Sequence, residues 1–296
     1  MLIVPRRRLG LLVGGLLLLL TLLLDIFWVW QVVNWPVAFL TFVQGMLVVL
    51  SLPWLGLLAC GLYGLLTLRY HLDRNRLFLR WGATWQVVPL PQIERVEIGA
   101  PLVSPLRYRG LWWPGHWAGR GEAVGVGPTR FYATAPAARQ VFLVTPSLAY
   151  AISPPDPEAF VRDFQLRRDM GPTQSLEPSS HQPAFSGWAF WTDRAAQGLL
   201  ALGGLAVAAL LGRLCWRYPA LPELLALHFD AQGQVDRVGL RSDLFALPVI
   251  GLFALVTDLV LGFLLYRRER VGAYLIWGSA VAVNVLLWLA LGQLLG

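Results

Sequence analysis

RQVFLVTPSLAYAISPPDPEAFVRDFQLRRD, residues 139–169, reads as two short strands handing over to a helix. RQVFLVTP (139–146) and LAYAIS (148–153) are rich in β-branched and aromatic residues. PPDPEAFVRDFQLRRD (154–169) then carries the signals of a helix. Asp156 is placed as its N-cap, Pro157 at the first helical position and Glu158 in the first turn. Phe160, Val161 and Phe164 form one apolar face, and Arg167 and Arg168 close the last turn, where the helix dipole favours cations.

The residues upstream continue the strand pattern. RYHLDRNRLFLRW (69–81) is strand, turn, strand: Leu77, Leu79 and Trp81 alternate with Arg76, Phe78 and Arg80, and Asp-Arg-Asn supplies the turn. TWQVVPL (84–90), QIERVEIG (92–99) and PTRFYAT (128–134) follow. About seven short strands closed by a helix are predicted, within a segment of ordinary soluble composition, residues 69–187.

Everything outside that segment is apolar. Hydrophobic residues make up 56% of the 296 positions and charged residues only 14%, about half the usual share of a soluble domain. The excess lies in runs long enough to span a bilayer: 9–31, 36–67, 193–215, 244–266 and 271–294. The first run exceeds a signal-peptide core and no small-x-small site follows it, so an uncleaved span is expected. Glycines 45, 56, 61 and 64 along the second run predict close packing. All 24 basic residues are arginine. Arg6–Arg8, Arg69 and the Arg267, Arg268, Arg270 group fall on one side of five spans, which predicts a cytoplasmic N-terminus and soluble segment in an inner-membrane protein with an extracytoplasmic C-terminus. The division expected is a two-span hairpin (1–68), a soluble domain (69–169), a linker (170–192) and three spans (193–296), with an extracytoplasmic loop at 217–242.

LDRNRLFLRWG, PLPQIERVEI and GVGPTRFYAT, followed by VFLVTPSLAYAISPPDPEAFVRDF, resemble the pleckstrin-homology-like (PH-like) fold as found in bacterial membrane proteins. The likeness covers about 100 residues and implies a β-barrel or sandwich capped by a helix; no headgroup-binding motif carries over. A second stretch, YPALPELLALHFDAQGQVDRVGLRS (218–242), resembles a domain-of-unknown-function family that includes SdpI-type immunity membrane proteins, through Pro222, His228-Phe229-Asp230, Gly233 and Asp236. That likeness implies a Pro-containing turn and a short helix leading into the fourth span.

Three groups of residues are candidates for function. The loop 105–127 breaks the alternation and interleaves Trp112, Trp113 and Trp117 with Arg107, Arg109 and Arg120. Indoles at headgroup depth and guanidinium groups on lipid phosphates are one reading; tryptophans capping the open end of the barrel are the other. Within the spans, depth counted at about 1.5 Å per residue pairs Asp25 with Arg213, and Asp258 with Gln197 and Arg194, as inter-span ties; a proton or ion path is the rival. In the loop, His228, Asp230 and Asp236 form either a weak metal site or, preferred here, a polar turn around Gly233. His116 is expected at the surface.

Cys60 and Cys215 lie in apolar runs and show no metal spacing. No nucleophile–base pair, metal motif or phosphate loop stands out, so a non-enzymatic protein without cofactor is expected. Nucleic acid is disfavoured, since residues 69–187 hold 13 arginines against nine acids, net +4. The partners expected are the lipid bilayer, anionic headgroups and a protein in a membrane complex, which makes the chain a scaffold, regulator or accessory subunit. The alternative is a small transporter or immunity-type protein working through Asp25, Asp258 and the 217–242 loop.

Overall fold

The computed structural model describes residues 1–100, 103, 108–174, 176–183, 189–229 and 235–295, with 227–229 and 235 described by their backbone. Among the described residues, five helices are long and apolar enough to cross a membrane: α1 (Arg8–Asn34), α2 (Phe39–Thr67), α4 (Arg194–Arg217), α5 (Ala246–Tyr266) and α6 (Arg270–Leu295). Their ends fall within a few residues of the predicted runs, because a uniformly apolar run stops where polar or turn-forming residues begin. The chain is therefore a multi-pass membrane protein.

Between α2 and α4 lies the sheet-rich domain. β1 (Leu2–Ile3), β2 (Arg69–Leu72), β3 (Arg76–Trp81), β4 (Thr84–Pro89) and β11 (Ser179–His181) form one sheet in the order β1-β2-β3-β4-β11. β5 (Arg95–Ile98), β6 (Arg109–Trp113), β7 (His116–Ala123), β8 (Gly127–Ala133), β9 (Val141–Val144) and β10 (Ala149–Ile152) form the other, in the order β5-β9-β10-β8-β7-β6. Neither sheet closes on itself, so the domain is a sandwich. The helix α3 (Pro157–Asp169) packs Phe160 and Phe164 into the core shared by both sheets, beside Tyr70, Leu77, Leu79, Leu143 and Ile152. Asp156 caps it as predicted, its Oδ1 accepting from the Ala159 amide at 2.9 Å.

One buried tie crosses the sandwich. The Tyr70 hydroxyl on β2 donates to the Tyr132 carbonyl on β8 at 2.5 Å and accepts from the Ser153 amide at 3.2 Å. Burial raises the Tyr70 pKa well above the usual phenol value, so the group stays a neutral donor.

The seven predicted strands correspond to β2–β5 and β8–β10. Four more were not expected: β1, the hairpin β6–β7 inside the supposed loop 105–127, and β11 inside the supposed linker 170–192. The compact units also cut across the expected boundary at residue 68. Residues 1–23 and 51–186 form one unit, and residues 24–50 and 187–296 the other, so α1 and α2 pass from one to the other.

In the second unit, α4, α5 and α6 pack together, and glycines make the room. A Cβ at Gly262 on α5 would fall 2.1 Å from the Trp277 indole of α6, and one at Gly251 would fall 2.2 Å from the Asn284 Oδ1. The Asn284 amide donates to the Gly251 carbonyl at 3.2 Å. β12 (Leu224–Phe229) pairs antiparallel with β13 (Val235–Leu240), where a short helix was expected.

Candidate functional site

The unexpected hairpin β6–β7 is where the sheet domain meets membrane helices. Pro114 and Gly115 make its turn; Gly115 sits at φ +83°, in the left-handed region that glycine tolerates. The turn lies against the start of α1, since a Cβ at Gly115 would fall 2.5 Å from the Gly10 nitrogen. Trp113 is 5% exposed, and its indole donates to the Gly10 carbonyl at 2.9 Å. Its ring occupies the space left by Gly14 on α1 and Gly61 on α2, while Trp81 from β3 fills that beside Gly64. Of the four glycines noted in α2, Gly61 and Gly64 thus seat indoles from the sheet domain rather than another helix, while a Cβ at Gly45 or Gly56 would meet nothing within 4 Å among the described residues. Arg7 adds a cap, donating to the carbonyls of Leu65 and Leu66 in the last turn of α2.

Between the two indoles lies His116, which is fully buried rather than at the surface. Its Nε2 accepts from Trp81 Nε1 at 3.2 Å, and its ring centroid is 4.2 Å from that of Trp113. Burial pushes its pKa down to about 4, so it is a neutral acceptor near pH 7.

The opposite end of the hairpin is cationic. Arg109 on β6 stands directly opposite Arg120 on β7, and Arg120 directly opposite Arg130 on β8. All three share the face that carries Tyr132 into the core, because side chains alternate along a strand. Like charges placed opposite each other destabilise a sheet, and among the described residues no ion pair engages any of the three. An open cleft of 170 Å³ lies at this row, lined by Arg120, Arg130, Trp81, Thr84, Tyr132 and Gln182. Gln182, with its amide oriented to accept, meets both terminal nitrogens of Arg130 at 3.2 and 3.3 Å. The row lies four residues along the strand from the Trp113–His116 pair, roughly 13 Å at the usual rise.

The structure therefore separates the predicted aromatic-basic group. Arg109 and Arg120 belong to the row, and Arg130, not singled out in the sequence, completes it. Trp113 is buried against α1 and α2; Trp117 packs on Tyr108 and Phe131; Trp112 alone of the three is well exposed, at 56%. Arg107 lies outside the described residues.

The membrane residues pair differently from the depth count. The Arg213 guanidinium lies over the Trp288 ring, 4.4 Å from its centroid, and Asp25 is buried in α1. Asp258 accepts from Ser279 Oγ of α6 at 2.7 Å. Gln197 instead donates to the Phe190 carbonyl at 3.0 Å, and Arg194 is the exposed first residue of α4. Equal depth does not fix which way a helix face points, and Asp258 and Gln197 accordingly find other partners.

A tie that sequence reasoning missed sits at Asp193. This residue caps α4 through the Ala196 amide, and its Oδ2 accepts from the hydroxyls of Tyr266 on α5 and Tyr274 on α6. Those tyrosine bonds, Tyr266 first, hold its pKa at about 2. An N-cap aspartate level with tyrosines at the end of one span and the start of the next was the available signal.

In the hairpin between α4 and α5, Asp236 lies on β13, the backbone of His228 lies on β12 opposite Arg237, and Asp230 lies outside the described residues. Among the described residues, no three His, Cys, Asp or Glu side chains gather as metal ligands.

Comparison with known proteins gives two matches. Residues 68–168 match the family described as bacterial PH domain, and residues 205–252 match a domain of unknown function, DUF1648. Both coincide with the resemblances read from the sequence, and neither is an enzyme family. No curated protein and no solved structure matches the chain.

Proposed function

We propose that this multi-pass protein is a non-catalytic scaffold or regulatory subunit of the cytoplasmic membrane, and that its PH-like domain reads anionic lipid headgroups. In this reading the N-terminus and the PH-like domain face the cytoplasm and the C-terminus lies outside, as the arginine placement supports. The observation that carries the reading is the row Arg109–Arg120–Arg130. Three guanidinium groups stand opposite one another on adjacent strands, in a domain whose neighbouring hairpin end is hydrogen-bonded to the start of the first span. A row of this kind is relieved by a phosphate that bridges it, because arginine presents a planar fork to phosphate oxygens. Docking on α1 and α2 keeps the row within reach of the membrane surface, where anionic lipid supplies such phosphates.

The test uses the full chain, because Trp81 and Trp113 would lose their helix partners in an excised domain. Amide exchange of β6, β7 and β8 is compared in nanodiscs of neutral and of anionic lipid, at low and high salt. Anionic lipid is expected to slow exchange at low salt only, and less so in an Arg120→Gln/Arg130→Gln variant. Identical exchange in both lipids would refute headgroup reading and direct the search to a protein partner.

A further inference from the structure

The second unit contains a wider cleft, 630 Å³, among its membrane helices. Its size is typical of small-ligand sites. Phe39 and Phe42 at the start of α2, the stretch Ala208–Arg217 of α4 and Trp288 of α6 form its walls. Its lining is apolar apart from Arg213 and Arg217. Arg213 and Arg217 are one helical turn apart and so lie on one face, roughly 6 Å between their Cβ atoms. Neither is engaged by an ion pair among the described residues. Arg213 is steadied against Trp288 and beside Gly292, where a Cβ would approach its Nη1 to 3.4 Å. Next to Arg213 in the chain, Gly212 lets Phe42 lie close to α4; a Cβ there would fall 2.9 Å from its ring. Ala208 and Ala209 keep the neighbouring wall low.

A cation in a membrane helix requires water or an anion to meet it. The apolar wall below these two has nothing to offer a soluble anion but suits an acyl chain. We infer that this cleft holds one anionic phospholipid, with its phosphate between Arg213 and Arg217 and a chain along Phe42, Ala208 and Ala209. The site is separate from the arginine row of the PH-like domain and does not depend on that row's reading.

The experiment uses the full chain, purified in neutral detergent and carrying Arg109→Gln, Arg120→Gln and Arg130→Gln so that the arginine row of the sheet domain is removed. Thermal unfolding is followed while short-chain phosphatidylglycerol, short-chain phosphatidylcholine or inorganic phosphate is added. Phosphatidylglycerol is expected to raise the transition, and Arg213→Gln or Arg217→Gln to weaken its apparent affinity about five-fold each. Ala209→Trp, which fills the cleft and leaves both arginines in place, is expected to abolish the shift. An equal response to phosphatidylcholine would overturn the charge recognition. An equal response to inorganic phosphate would overturn the lipid, and a full response in Ala209→Trp would overturn the cleft. If Arg213→Gln does not fold, Ala209→Trp and the three additives still decide.

Discussion

Glycines in the membrane helices serve two purposes in this molecule. In the first unit, Gly14, Gly61 and Gly64 admit Trp113 and Trp81 from the sheet domain; in the second, Gly251 and Gly262 admit Asn284 and Trp277 from the neighbouring span. The same missing methyl group joins helix to helix in one place and helix to soluble domain in the other. The difference lies in what the incoming side chain does with its polar atom. Trp113 reaches a carbonyl on α1 and Trp81 reaches His116, so the domain joint is both packed and hydrogen-bonded. At the helix–helix joint the Asn284 amide nitrogen is bonded, whereas its Oδ1 and the Trp277 indole nitrogen are buried with no partner among the described residues. The domain joint should therefore be the more sensitive of the two.

Substitutions at the two joints test that inference. Gly61→Leu, which would drive its Cβ into the Trp113 ring, is expected to cost about 3 kcal/mol by overpacking. Gly56→Ala on the same helix, with open space around it, is expected to be neutral or slightly stabilising. Denaturant unfolding followed by tryptophan fluorescence separates them, and equal effects would dissolve the distinction.

Acid should act on the same joint. His116 is held at about 4 against an ordinary value of 6.5, so the folded state resists a proton that the unfolded state accepts. Its contribution is fully present above pH 6.5 and is lost as the pH falls towards 4, amounting to roughly 3 kcal/mol. Thermal transitions measured across that window are expected to fall steeply, and to flatten in His116→Gln. A slope that survives this substitution would place the titrating group elsewhere.

Within the domain, Tyr70→Phe removes the tie between the sheets and strands the Ser153 amide. A loss of about 2 kcal/mol is expected in the same unfolding assay. The smallest effect belongs to the helix–helix joint: Asn284→Ala is expected to cost about 0.6 kcal/mol, the average for a hydrogen bond between membrane helices. A cost above that of Gly61→Leu would invert the comparison.

The spans and seven of the strands were legible because each follows one period, continuous apolarity or alternation. The hairpin β6–β7 was not, although Pro114–Gly115 marked its turn. Its two faces are both aromatic: Trp113 faces membrane helices while Trp117 packs on Phe131. Alternation vanishes when aromatic residues stand on both faces, even where one of them, Trp112, meets water. β11 failed for the opposite reason, since Ser179, Ser180 and His181 are all exposed and show no face at all. At the candidate site, Arg109 and Arg120 were legible as part of a basic group. Arg130 was hidden in a strand that already read correctly, and only register brings the three together. Within the membrane, depth could be counted from sequence but rotation about the helix axis could not, which is why Asp258 meets Ser279 and not Gln197.

The pairing of β1 with β2 also constrains the order of assembly. Leu2 and Ile3 precede the first span, while His71 and Tyr70, their partners, follow the second. That edge of the sheet cannot form until both spans have been synthesised and their far ends brought back to one side of the bilayer. Closure of this two-residue ladder is thus a late event in biogenesis. A chain whose second span failed to insert would leave the edge of β2 bare, and an open strand edge is a template for mispairing with another chain.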